Sequence, residues 1–254
     1  MAIKIAVANQ KGGIGKTTTA ICMATGIQNR GFRVLLVDTD PQCSSTGVYG
    51  AKVENQETLL DLLLDGAEID KCIQHMDMGD IIASDPQLKD AETLIKVDTE
   101  RYYHLIDTMS ALEDKYDYII FDTPPGNGVM LGNVLCASDK VIMPITADKF
   151  GIQGMQDFYN TMLSYKKRIN PKIYIAGVLI IKYKSRYGLT QDLETGTIPK
   201  MVNKMETKVY NAKIRECVKC QEAQALGQSL FDYDSNCTTA IDYNQFIEEF
   251  LKEK

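Results

Sequence analysis

The chain has 254 residues, with 28 Lys and Arg against 34 Asp and Glu, for a formal net charge of −6. At 44% hydrophobic and 24% charged residues it has the composition of a folded protein, which excludes disorder along its whole length. No apolar run approaches the roughly 18–20 residues of a membrane span. Residues Met1–Val7 lack the charged start and long apolar stretch of an export signal, so a cytoplasmic protein is expected.

In chain order, Ile3 to Asn9 reads as a buried strand running into a glycine-rich turn, and Thr17 to Asn29 as a helix closed by Gly31. Arg33 to Asp38 is a second short apolar strand. Thr58 to Asp65 reads as a short helix and Asp80 to Ser84 as a short strand. Thr99 to Lys115 has helical spacing, with Leu105, Ile106, Met109 and Leu112 apolar. Tyr118 to Asp122 is a third strong strand, Val129 to Ala137 a helix, and Lys140 to Thr146 a strand. Gln153 to Lys167 reads as a helix, Tyr174 to Ile181 as a buried strand, and Thr238 to Lys252 as a closing helix. The stretch Lys182 to Gln221 has little periodicity. Continuous apolar strands alternating with helices predict an α/β fold, a parallel sheet covered on both faces. With no repeat and no Pro/Ser/Gly-rich linker, residues 1–254 are expected to form one domain.

Seven cysteines, at positions 22, 43, 72, 136, 217, 220 and 237, are an odd number and scattered, which suits a reducing compartment better than a disulfide framework. Only Cys217 and Cys220 have metal-like spacing, and neither histidine, 75 or 104, lies near them. Charge is uneven. Residues 1–150 hold 13 basic and 22 acidic residues, whereas 160–220 hold 13 basic and 4 acidic ones. The overall balance argues against a general affinity for nucleic acid, and the second stretch permits a local basic patch.

The most informative segment is Gln10-Lys-Gly-Gly-Ile-Gly-Lys-Thr-Thr18, between the first strand and the first helix. Glycines let the backbone turn tightly and aim N–H groups at a phosphate chain, and the helix that follows adds the positive end of its dipole. Gly12, Gly13, Ile14, Gly15, Lys16, Thr17 and Thr18 are therefore the candidate nucleotide-binding residues. Lys16 is expected at the β- and γ-phosphates and the Thr17 hydroxyl on Mg²⁺.

The motif has Gln10 where the common P-loop has its first glycine, and a second lysine, Lys11, follows. In this the sequence resembles the deviant Walker A family of dimerising ATPases, and within it the ParA-like partition ATPases. Val37-Asp-Thr-Asp-Pro-Gln42 is similar to the family's D-x-D-P-Q switch, and Ile119-Ile-Phe-Asp-Thr-Pro-Pro125 to its Walker B strand and second switch. Pro144 to Gly154 resembles a further family stretch, with Asp148 where glutamate is usual. The resemblance runs strongly from about residue 3 to 155 and weakly to 250. It implies a single P-loop domain, a twisted, mainly parallel sheet with helices on both sides.

For the site, the resemblance implies that Lys11, Lys16 and Asp40 are catalytic. Lys11 would act on the partner's nucleotide across a dimer, as an arginine finger does. Asp40 would orient the attacking water. Thr17, Asp40 and Asp122 would serve Mg²⁺, with Asp122 acting through water, and Asp38 would serve loop geometry.

The likeness weakens near the family's I-P-R-N-V-R-L-S-E-A segment. Its counterpart here is Ile214-Arg-Glu-Cys-Val-Lys-Cys-Gln-Glu-Ala223, with Arg215 at the proline that flanks adenine and Glu216 at the arginine. Relatives bind DNA without sequence preference through basic residues in this half, which makes Lys182, Lys184, Arg186, Lys213, Arg215 and Lys219 the candidates.

The leading expectation is an ATP- and Mg²⁺-dependent partition ATPase with slow intrinsic turnover. Its ATP-bound homodimer would bind non-specific DNA and associate with the nucleoid, and a ParB-like centromere-binding protein would stimulate hydrolysis. No operator-reading module is expected. The alternative is a MinD-like membrane-cycling ATPase, which requires a basic amphipathic C-terminal helix. The closing segment, Phe246 to Lys254, is acidic, so no membrane partner is expected. An iron–sulfur reductase and an ATP-dependent ligase are lesser alternatives.

Overall fold

The computed structural model describes residues 1–64, 66–90, 95, 102–184 and 193–253. The carboxyl end of the predicted 58–65 helix (Asp65), the start of the predicted 99–115 helix and Arg186 lie outside these.

Eight strands form one sheet. They are β1 (Ile3–Val7), β2 (Val34–Asp38), β3 (Ile73–Met76), β4 (Gly79–Ile82), β5 (Tyr118–Asp122), β6 (Lys140–Thr146), β7 (Tyr174–Ile181) and β8 (Val209–Ile214). Their order across the sheet is β3-β4-β2-β5-β1-β6-β7-β8. Every neighbouring pair is parallel except the edge pair β3–β4, so this is the expected doubly covered, mainly parallel sheet with one antiparallel edge.

Alternation along each strand divides the core. Leu35 and Val37 of β2 and Ile119 and Phe121 of β5 pack on one face. Ile5 and Val7 of β1, Leu36 of β2 and Ile120 of β5 pack on the other. The first face is covered by α5 (His104–Ser110), α6 (Val129–Ala137) and α7 (Lys149–Arg168), with α3 (Leu59–Leu64) and α8 (Ile198–Lys204) further out. Before α3 come α1 (Lys16–Gln28) and α2 (Ser44–Tyr49), and a single turn, α4 (Ile69–Cys72), leads into β3. The second face carries α1, α9 (Val218–Ala225), α10 (Leu230–Asp234) and α11 (Thr238–Leu251). Helix α1 is buried over most of its length. Gly26 lets α11 come close, because a Cβ there would sit 2.3 Å from Ile247 Cδ1.

Several predicted bounds shift. The helix expected over Gln153–Lys167 begins at Lys149, because Asp148 caps it by accepting from the Gly151 N–H at 2.7 Å. The helix expected up to Lys115 stops at Ser110 and ends in turns. The weakly periodic stretch after Lys182 contains α8, β8 and the start of α9. Strand β3 and helices α2 and α10 had no sequence expectation.

The parallel strands place their carboxyl ends along one rim. The turns after β1, β2 and β5 meet there, and those after β7 and β8 lie alongside. Ligands of open α/β sheets bind at such a rim.

Candidate functional site

The turn after β1 is held from both sides before it reaches α1. Asn9 Nδ2 donates to the Pro144 carbonyl at 3.0 Å, and the Lys11 N–H donates to Asn9 Oδ1 at 3.1 Å. The Gly126 N–H donates to the Gln10 carbonyl at 2.9 Å, tying this turn to the one after β5. Gly13 and Gly15 have φ of 69° and 75°, in the left-handed region that glycine enters without a Cβ penalty. Gly15 caps α1 with no side-chain partner, so the first N–H groups of a thirteen-residue helix face the turn.

Lys16 begins α1 and is buried. Its Nζ donates to the Lys11 carbonyl at 3.0 Å. Burial lowers its pKa, and the charges of Asp122 and Asp40 oppose that shift. Thr17 and Thr18 line the cavity beside it, whereas Ile14 is buried beneath the turn.

Three carboxylates meet at the ends of β2 and β5. Asp38 accepts from the Thr46 N–H and hydroxyl, both at 2.8 Å, and from the Asp40 N–H at 3.1 Å. It thereby ties the loop after β2 to α2. Asp40 accepts from the Gln42 N–H at 2.9 Å, and its carbonyl accepts from the Ser84 hydroxyl at 2.7 Å. Asp122 Oδ2 accepts from the Ser45 hydroxyl at 2.6 Å. Asp122 Oδ1 is buried and accepts no hydrogen bond from the described residues, and the Thr17 hydroxyl lies beside this carboxyl. Burial raises the Asp122 pKa, and the neighbouring Asp38 charge raises it further. Asp38 is raised by burial as well, against the pull of its hydrogen bonds. The charges of Asp40 and Asp122 also act on Lys16.

These groups open into a cavity of about 710 Å³. Gly12, Gly13, Gly15, Lys16, Thr17, Thr18 and Asp40 line one end. The other end is built by Ile181 and Lys182 after β7, by residues 214–218, 220, 221 and 224, and by Thr239 and Tyr243 of α11. Residues 214–223 are the counterpart of the family segment that flanks adenine, whereas Gln224, Thr239 and Tyr243 carried no expectation. Gln224 Nε2 donates to the Thr18 hydroxyl at 3.0 Å, and Tyr243 shares a 2.9 Å hydrogen bond with Thr19, so both are fastened to α1. Gln221 and Gln224 fall one helical turn apart on α9.

Lys11 does not line this cavity. Its Nζ lies 3.7 Å from Asp148 and 5.6 Å above the ring of Phe150, which is 73% exposed.

The basic candidates of the second half are drawn into pairs. Arg215 makes a two-point contact with Asp242, at 2.8 Å from Nε and 2.6 Å from Nη2. Lys182 Nζ is 3.7 Å from Glu216, and these two pairs stand at the cavity mouth. Lys219 pairs with Glu222 at 2.9 Å and lies 5.7 Å over the Tyr233 ring. Lys213 lies 4.9 Å over the Tyr183 ring, and Lys184 is exposed on the same segment. Among the described residues no helix is long and apolar enough to cross a membrane.

Residues 2–175 match the AAA domain family. The chain is 31% identical to the chromosome partitioning protein ParA of Caulobacter vibrioides, over 98% of this chain and 94% of that one. It is 32% identical to the sporulation initiation inhibitor protein Soj of Bacillus subtilis, over 96% of each. Among solved structures, cobyrinic acid a,c-diamide synthase from Mycobacterium smegmatis with bound ADP and magnesium is similar with a TM-score of 0.84 and 27% identity, over 99% of this chain and 95% of that one. A plasmid partition protein of Borrelia burgdorferi bound to AMPPNP gives 0.77 and 26%, over the whole of both chains. With the glycine turn, the buried lysine and the carboxylate rim in place, the chain belongs to the ParA-like family of deviant Walker A P-loop ATPases.

Proposed function

We propose that the protein is an ATP-driven DNA partition ATPase. Its cavity takes ATP with the triphosphate over the turn at residues 12–18 and the base between residues 181–182 and 214–224. Lys16, desolvated and close to where the β- and γ-phosphates would lie, neutralises their charge. The residues present fit Mg²⁺: Asp122 Oδ1 is a buried carboxylate oxygen without a hydrogen bond from the described residues, with Thr17 beside it and Asp40 close by. Thr17, Asp40 and Asp122 would hold the ion, which supplies positive charge against the phosphates when bound. Asp40 orients the water that attacks the γ-phosphate.

The observation that carries the reading is the position of Lys11. Its backbone belongs to the phosphate turn, yet its side chain points out of the cavity and rests on Asp148 and Phe150 at the surface. A lysine so placed cannot neutralise the phosphates of its own protomer, and it is free to serve those of a second copy facing the same rim. ATP would thereby join two protomers, and hydrolysis would part them.

The dimer binds DNA through phosphate contacts from the basic second half, with Lys182, Lys184, Arg186, Lys213, Arg215 and Lys219 the candidates. Hydrolysis is slow alone and stimulated by a ParB-like centromere-binding protein. The protein is cytoplasmic, and nucleoid-associated when ATP-bound. Binding of a non-specific duplex across a salt series, with no nucleotide, ADP or ATP, tests this. Binding that requires ATP, persists in Asp40→Ala and falls steeply with salt is expected. An ATP-dependent dimer that binds no DNA in any state would overturn the partition role and leave the ATPase.

A further inference from the structure

The fold treats the backbone and the side chain of Lys11 differently. Its backbone is pinned. The N–H donates to Asn9 Oδ1 at 3.1 Å, and the carbonyl accepts from the buried Lys16 Nζ at 3.0 Å. Asn9 is itself tied to the Pro144 carbonyl at 3.0 Å. The first turns of α7 close against this peptide, where a Cβ on Gly154 would lie 3.3 Å from Asn9 Oδ1 and 3.6 Å from Lys11 Cβ. Movement is therefore left to the four-carbon stem and its ammonium.

Among the described residues that ammonium meets two groups, both at the start of α7. Nζ lies 3.7 Å from Asp148 Oδ1 and 5.6 Å from the centre of the Phe150 ring. Asp148 is fixed by a second task, because the same oxygen caps α7 by accepting from the Gly151 N–H at 2.7 Å. Burial works against the Asp148 charge, but its hydrogen bonds and the Lys11 charge outweigh it and hold the carboxyl below its usual range. Asp148 is thus ionised at neutral pH and pairs with the ammonium. Phe150 is 73% exposed, so its ring stands at the surface beside the phosphate turn with the cation over its face.

We propose that Asp148 and Phe150 are positioning residues that hold Lys11 retracted, and that its release is a step in ATP hydrolysis. The inference rests on reading Lys11 as the residue that serves the partner's nucleotide. An ammonium matched by a carboxylate and a ring of its own protomer cannot at the same time neutralise phosphates across a dimer. It must leave both groups first. The contacts suit a catch that opens. The Lys11 and Asp148 side chains are 34% and 45% exposed, and an exposed pair is screened and weak. The ring adds a second weak contact. Together they keep the extended lysine in the minority and slow the isolated protein. The denser negative charge of a triphosphate on a facing protomer draws it away.

The test uses the full chain and its variants Asp148→Asn, Phe150→Ala and the two combined. Asn caps a helix as well as Asp does, so α7 keeps its start while the charge is lost. Two rates are read. One is acylation of Lys11 by limiting acetic anhydride without nucleotide, followed by peptide mass spectrometry with the exposed Lys167 of α7 as internal reference. The other is basal hydrolysis at saturating ATP and fixed protein concentration. Each single variant should raise both rates about twofold to fourfold, and the combined variant about tenfold. Added salt should speed Lys11 acylation in the parent and not in Asp148→Asn. Adding Lys11→Ala should abolish every gain in hydrolysis, which a merely structural change at α7 would not do.

Lys11 acylation that is unchanged in the combined variant overturns the proposal. So does faster acylation with hydrolysis unchanged or reduced, or a gain in hydrolysis that survives Lys11→Ala. Phe150 is a surface side chain, so Phe150→Ala decides the matter even if Asp148→Asn disturbs folding. Parental hydrolysis in the single variant Lys11→Ala would overturn the reading on which the proposal rests, and it is seen without touching Asp148 or Phe150.

Discussion

The two ends of the cavity are built by different means. The phosphate end is backbone and short contacts: Gly13 and Gly15 in left-handed conformations, Lys16 buried, and Asp38 and Asp122 sharing hydrogen bonds with Ser45 and Thr46. The base end is assembled from three distant segments by side chains, through Arg215–Asp242, Lys182–Glu216, Gln224–Thr18 and the thiols of Cys217 and Cys220. A site made of local backbone tolerates little change. A site made of long side chains from separate elements can be retuned residue by residue. On the proposed reading, the first sets the chemistry and the second sets how tightly the nucleotide is held.

The largest expected effect is at the phosphate end. Lys16→Ala removes the buried lysine of the glycine turn, and ATP affinity should fall by roughly a hundredfold or more, with loss of any nucleotide-dependent dimer by light scattering. An ATP-dependent dimer in that variant would break the division. Next, Asp40→Ala should abolish hydrolysis while ATP still binds, leaving a long-lived dimer. Turnover at the parental rate would remove Asp40 from the chemistry.

At the base end, Asp242→Asn weakens the two-point hold on Arg215 and loosens residues 214–218. ATP affinity should fall on the order of tenfold, while the rate at saturating ATP is unchanged. A fall in that rate instead would mean that the two ends are not separable.

A smaller effect concerns stability. Asp122 is buried next to Asp38, and its folded-state pKa is raised above that of the unfolded chain. Its protonated form is therefore the favoured one in the ligand-free fold. That contribution is fully present below the unfolded pKa and is lost as pH rises through the folded one. The ligand-free parent should lose stability from this source between mildly acidic and neutral pH. Asp122→Asn should melt higher than the ligand-free parent by about 2–4 °C at slightly alkaline pH, with the gap closing in acid and hydrolysis lost. The smallest effect is outside the cavity: Lys184→Ala should weaken DNA binding a few-fold and reduce the salt slope by about 1.

The same contrast decides what was legible in the sequence. The phosphate end is written in one contiguous segment, residues 10–18, and at the ends of two strongly apolar strands, so spacing alone locates it. The start of α7 was less legible, because Gly151 and Gly154 lower helix propensity there. Gly151 is required, since a Cβ would lie 2.0 Å from the Thr146 carbonyl oxygen. Strand β3 is short, partly exposed and at the sheet edge, so it carries little alternation. At the base end the resemblance marked residues 214–223, but the pairings there were not legible: Glu216 and Lys182, or Arg215 and Asp242, meet only through β7, β8 and α11. A count of lysines and arginines over 160–220 could not reveal that Lys182, Arg215 and Lys219 have acidic partners.

The most direct measurement is the hydrolysis rate of Lys11→Ala at saturating ATP, with ATP affinity determined on the same sample. The account predicts near-parental affinity, because Lys11 does not line the cavity, and loss of stimulated hydrolysis by about three orders of magnitude, as for a finger supplied from a partner. Parental hydrolysis in Lys11→Ala, or an affinity loss as large as that of Lys16→Ala, would contradict it.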